Sequence, residues 1–106
     1  MITVDVYKTA DGTIAGFECL GHAGYAEEGS DIICAAVSAL VINCINSIDE
    51  FLHEPLRVKQ EPESGNIQCF FREEPSEKAL LLVNSMLLGL KEIEKNYGNT
   101  YIKLTL

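Results

Sequence analysis

From Ile32 to Ile48 the chain reads IICAAVSALVINCINSI, with no charge and four polar positions, Ser38, Asn43, Asn46 and Ser47. No other stretch restricts the fold as much. A helix that is apolar nearly all round has to be buried on most sides, by its own domain or by another chain. The polar breaks mark a buried core helix rather than a membrane span. Ser30 or Asp31 can cap it, because either side chain accepts an orphan backbone N–H. Pro55 ends it, since the residue before a proline avoids helical angles. A helix is therefore expected over 31–53, its second half reaching water through Asp49, Glu50 and Glu54.

The remaining segments must cover that helix. Ile2, Val4 and Val6 alternate with Thr3, Asp5 and Tyr7, the period of a strand. Asp11-Gly12 is a hairpin-turn signal, and Thr13 to Leu20 reads as the second strand. A loop from Gly21 to Ser30 follows, carrying Gly21, Gly24 and Gly29. Beyond the helix, Leu56–Glu61 and Asn66–Phe71 pair around the turn Pro62-Glu63-Ser64-Gly65. Pro75 opens a second helix, predicted over 75–95 and stopped by Asn96 and Gly98. Tyr101 to Leu106 closes as a strand. The order is ββ-α-ββ-α-β. It predicts an α+β fold, one mostly antiparallel sheet with two helices packed on it. With 106 residues, the chain is expected to form one domain, 1–106.

Eight basic residues against 16 acidic ones leave a net charge of −8. That opposes direct binding to a nucleic-acid backbone. It suits a basic partner, or serves solubility alone. The four cysteines, Cys19, Cys34, Cys44 and Cys69, include no CxxC pair. The first residues, MITVDVYK, read as a strand rather than a signal peptide. A reducing, cytoplasmic setting without a disulfide framework is expected, and no membrane association. Cys44 and Cys69 fit the interiors of a helix and a strand.

Cys34 is different. It falls near the start of the first helix, where unpaired N–H groups and the helix dipole favour negative charge. The thiolate is the attacking form of cysteine. The same N–H groups suit an oxyanion forming beside the sulfur. His22 lies twelve positions earlier, at the end of a strand, and an imidazole suits proton transfer near neutrality. A loop between them can bring the base to the thiol, as a His–Cys pair requires. Ser38, one turn after Cys34, can support the thiol or simply bond its own backbone. Asp31 can orient His22 or cap the helix. Cys34 can also be an ordinary buried cysteine, and His22 a turn residue. Cys19-x-x-His22 has the spacing of a zinc pair, but no second tight pair follows, so no metal is expected.

Gly21-His22-Ala23, then Gly29, then Asp31-Ile32-Ile33-Cys34-Ala35-Ala36-Val37-Ser38 resembles the signature of the ribosomal-processing cysteine proteases, the Prp family. Length and element order fit the same family. The resemblance implies a cysteine endopeptidase without a cofactor, with His22 as base and Cys34 as nucleophile. Ser38 and Asp31 would support the site. Gly21, Gly24 and Gly29 would let a loop close over substrate. It further implies a homodimer, and a substrate that is the N-terminal extension of a large-subunit ribosomal protein, the twenty-seventh, cut after an aromatic pair and before a small residue. Such extensions are basic, and a −8 protein attracts them. The competing expectation is a non-enzymatic module that binds a basic ribosomal segment.

Overall fold

The computed structural model describes residues 1–21, 30–61, 64–98 and 101–106. The strands are β1 (Ile2–Lys8), β2 (Ile14–Leu20), β3 (Leu56–Gln60), β4 (Ile67–Phe71) and β5 (Ile102–Thr105). Helix α1 (Ser30–Ser47) lies between β2 and β3, and α2 (Glu77–Tyr97) between β4 and β5. The strands form one sheet in the order β3-β4-β2-β1-β5. Three neighbouring pairs are antiparallel; β1 and β5 run parallel, because the α2 crossover returns the chain to the far edge. The α+β architecture and the element order are those the sequence pattern predicts.

Helices and sheet share one core. Ile33, Val37, Val41, Cys44 and Ile48 form a buried stripe at helical spacing. They meet Ile2, Val4, Phe17, Ile67, Cys69 and Ile102 from the strands, and Ala79, Val83, Met86, Leu87 and Leu90 from α2. Each fully buried side chain as large as Phe17 or Leu90 contributes roughly 1.5–3 kcal/mol.

One irregularity fixes the sheet's inner face. Ile14 and Phe17 are both buried although they stand three apart, which a strict two-residue period forbids. Tyr7 pairs with Gly16 and Lys8 with Ile14, so Ala15 is an extra residue. This bulge turns Ile14 back to the core. Beside it, a Cβ on Gly16 would lie 2.5 Å from the Cys69 carbonyl oxygen and 2.4 Å from the Phe70 ring, so no larger residue fits there.

The helix bounds need correction. The α-helix ends at Ser47, and Ile48–Leu52 is π-helical, not a continuation of α1 to residue 53. His53 closes it with φ 53° and donates its N–H to the Asp49 carbonyl; Pro55 has no N–H for a further turn. Ser30 is the first helical residue rather than a cap, which makes Asp31 helical too. Helix α2 starts at Glu77, and Pro75 stands outside it. Ser76 is its cap: the hydroxyl oxygen accepts from Ala79 N–H at 3.1 Å, while the Glu54 carboxylate accepts from both Ser76 N–H and Ser76 Oγ. Gly98 ends α2, and its N–H reaches the Glu94 carbonyl at 2.8 Å.

Within its own domain α1 is buried along one stripe only. Ile32–Leu52 is long and apolar enough to cross a membrane by length and composition. Its stripe faces the core, but one sheet and one neighbouring helix cover a single side. Ile32 stays 67% exposed and Ile42 39%.

Candidate active site

Cys34 is the fifth residue of α1, near the helix start as expected. Its side chain is half-buried, and the preceding N–H groups of 30–33 have no partner within the helix. Around it the fold leaves a cleft of about 260 Å³. Helix α1 supplies Cys34 and the exposed Ser38 one turn on. The end of β2 supplies Cys19 and Gly21, β1 supplies Ile2, and the β3–β4 turn supplies Gly65. Two larger hollows, about 660 and 500 Å³, contain no cysteine. Chemistry, not volume, distinguishes the smaller one.

Of the expected site residues, Cys34, Ser38 and Gly21 meet in this cleft. His22, Gly24 and Gly29 lie outside the described residues, as does the side chain of Asp31. The part of the turn at Pro62 and Glu63 lies outside them as well. Gly21 is nevertheless informative. It is one peptide bond from His22, and it stands in the wall of the Cys34 cleft. The chain has two histidines, and His53 follows the far end of the helix, roughly 25–30 Å of helix away from Cys34. His53 borders another hollow, with Asp49, Glu54 and Arg72. No loop movement carries it to the thiol.

The cysteines divide by environment. Burial, and then the negative charge of Cys34, push the Cys19 thiol up to about 11. Burial alone takes Cys44 to about 11. Burial and the Cys44 charge take Cys69 to about 12. All three therefore hold their protons near neutral pH. Cys44 and Cys69 are core residues, as their sequence context predicts. Cys19 belongs to the same core, beside Cys34. Among the described residues no disulfide joins the cysteines, and no cluster of three or more His, Cys, Asp or Glu could hold a metal ion.

Sequence reasoning missed Ile2, Gly65 and Asn66. The first two line the cleft. Asn66 accepts a hydrogen bond from Gly21 N–H at 2.9 Å through Oδ1. Gly21 has φ 86°, and a Cβ there would sit 2.6 Å from the Met1 carbonyl oxygen. In the sequence Gly65 and Asn66 read only as the end of a turn and the start of a strand.

The family model of the cysteine protease Prp matches residues 1–103. The ribosomal processing cysteine protease Prp of Bacillus subtilis is 35% identical over 102 residues, covering 92% of this chain and 90% of that protein. Its Staphylococcus aureus counterpart is 31% identical over 98 residues, covering 92% of each. Two crystal structures of the essential ribosomal processing protease Prp from S. aureus superimpose on 99% of this chain and 98% of theirs at 30% identity. The one with a substrate peptide gives a TM-score of 0.90, and the one with a covalently linked product peptide 0.88.

Proposed function

The chain belongs to the Prp family of ribosomal processing cysteine proteases, and on that premise we propose that His22 and Cys34 form the catalytic pair of an endopeptidase acting on a basic ribosomal extension. The observation that carries this reading is Gly21 in the wall of the Cys34 cleft, with His22 the next residue along the chain.

The chemistry follows from the two groups. His22 takes the thiol proton as Cys34 Sγ attacks the scissile carbonyl carbon. The carbonyl oxygen becomes an oxyanion, for which the N–H groups opening α1 are oriented donors. Collapse expels the amine, which leaves with the proton from His22. The acyl group remains on Cys34 as a thioester. Water, deprotonated by His22, then attacks the thioester, and the acid and the Cys34 thiol are released. No step calls for a cofactor. Ser38 borders the sulfur's cleft and is assigned a supporting role, as is Asp31 at the same helix end. Gly21, Gly24 and Gly29 serve the substrate loop.

The substrate we assign is the N-terminal extension of the twenty-seventh large-subunit ribosomal protein, cut after an aromatic pair. Net charge −8 favours its approach by steering. The domain comprises 1–106 and works in the cytoplasm as a homodimer. Support for the dimer comes from large apolar side chains left open on the two helices, Ile32 at 67%, Leu81 at 68% and Leu88 at 64% exposure.

Mass spectrometry of a basic peptide containing that aromatic pair and a following small residue tests the reading. Wild-type protein should release two fragments split after the pair. His22→Ala should slow release by about 10²–10⁴-fold, the usual contribution of a positioned base. An intact peptide, or equal rates for the two proteins, would contradict the assignment.

A further inference from the structure

The β3–β4 connection meets the site in a way the peptidase chemistry does not itself require. Gly65 lines the Cys34 cleft with φ 74°, and the next residue, Asn66, reaches across to β2. Its Oδ1 accepts the Gly21 N–H at 2.9 Å, joining positions 45 residues apart. Its other hydrogen bonds among the described residues are made by its backbone. Its N–H donates to Ser64 Oγ at 3.3 Å, and its carbonyl accepts from Glu61 N–H at 2.9 Å. Among the described residues, the side chain's hydrogen-bond partner is Gly21.

Gly21 is held from a second direction. The space a Cβ would need is taken by the Met1 carbonyl oxygen, and the β1 backbone there is anchored by Ile2 N–H donating to the Tyr101 carbonyl at 2.8 Å. Gly21 keeps the left-handed side of φ at 86°. That conformation is easily lost from a glycine, which populates both signs of φ about equally. A fixed acceptor on its N–H removes that freedom. The direction in which the chain leaves Gly21 sets where residue 22 starts.

We propose that Asn66 is a positioning residue for catalysis, which acts by locking the Gly21 peptide in the orientation from which His22 departs. The proposal rests on the reading of His22 and Cys34 as the reacting pair. Among the described residues, those lining the Cys34 cleft include Gly65 and Ile67 but not Asn66. Its effect therefore belongs in turnover rather than in peptide binding, since small misplacements of a catalytic group cost rate.

The test uses the full chain and the basic, aromatic-pair peptide. Asn66→Ala removes the acceptor and leaves the backbone bonds of the turn. It should lower kcat by about 10-fold with KM changed by less than about twofold, within the range that misplacement of about 1 Å produces. Asn66→Asp retains an acceptor oxygen at the same reach and should restore most of the rate. Amide hydrogen exchange supplies a readout independent of activity: the Gly21 N–H should exchange faster in Asn66→Ala than in wild type and return toward wild type in Asn66→Asp. Circular dichroism identifies folded samples. Wild-type kcat in Asn66→Ala, or equal losses in the Ala and Asp variants, would overturn the positioning role while the peptidase reading stands. If wild type and Cys34→Ala yield the same fragments, the peptidase reading falls and the role of Asn66 falls with it.

Discussion

Cys34→Ala is expected to fold as the wild type does and to lose peptide cleavage by at least about 10³-fold, the scale on which removal of a nucleophile acts. The fold should persist because the side chain is half-buried at the edge of an open cleft. Deleting the sulfur widens a solvent-connected space instead of creating a sealed cavity, so the stability change should stay within about 1 kcal/mol. The neighbours Ala35 and Ala36 show that a small helix former is acceptable at this end of α1. Cys34→Ser should be nearly as inactive, since a hydroxyl holds its proton far more tightly than a thiol and a lone imidazole is a weak base for it. Unchanged turnover by Cys34→Ala, with product masses identical to wild type, would remove Cys34 from the mechanism.

Gly21→Ala should damage both stability and rate. The added Cβ would stand 2.6 Å from the Met1 carbonyl oxygen, closer than real Cβ contacts come. The obstacle is backbone, fixed by the β1–β5 pairing on the adjacent residue, Ile2. Alanine also resists φ 86°, a strain of about 1–3 kcal/mol. Melting followed by circular dichroism should shift down by roughly 4–8 °C per kcal/mol lost for a domain of this size. The chain has no tryptophan to report unfolding by fluorescence. The kcat/KM should fall by about 10²-fold, because the residue that precedes the proposed base can no longer keep its conformation. A variant with wild-type melting and wild-type kcat/KM would show that this peptide tolerates relaxation, and that its geometry is not what serves the site.

Much of this arrangement could be read from local pattern. Ile2, Val4 and Val6 announce an edgewise-alternating strand, and Asp11-Gly12 turns it: Gly12 takes φ 88°, and the Asp11 carboxylate accepts from Thr13 N–H at 3.1 Å. The run from Ile32 announces a core helix because no other role suits so many apolar residues. The bulge at Ala15 escaped, since Ile14 and Phe17 reveal it only when the β1 register is known. The π-helical ending at Ile48–Leu52 escaped for a related reason: periods of 3.6 and about 4.4 residues cannot be told apart over one turn. In the site, Cys34 is legible from its place at a helix start. Gly21 is legible as a motif and loop glycine, but its contacts with Met1 and Asn66 join segments far apart in the chain. Long-range partners of this kind leave no periodic trace.

The chain's net charge of −8 has an expected physical consequence. Association with a basic extension should be fastest at low ionic strength, because exposed charges separated by more than about 10 Å are screened at 0.1 M salt.

The most direct measurement concerns the sulfur itself. A peptidyl chloromethyl ketone ending in the aromatic pair should be incubated with native protein near neutral pH, and the adduct located by peptide mapping. With Cys19 and Cys44 pushed up to about 11 and Cys69 to about 12, those three thiols are almost wholly protonated and enclosed. A single adduct is expected on Cys34, its formation slowed by the uncleaved peptide and its appearance matched by loss of cleavage. Alkylation spread over the buried thiols, or an unmodified Cys34 in protein that the reagent has inactivated, would contradict it.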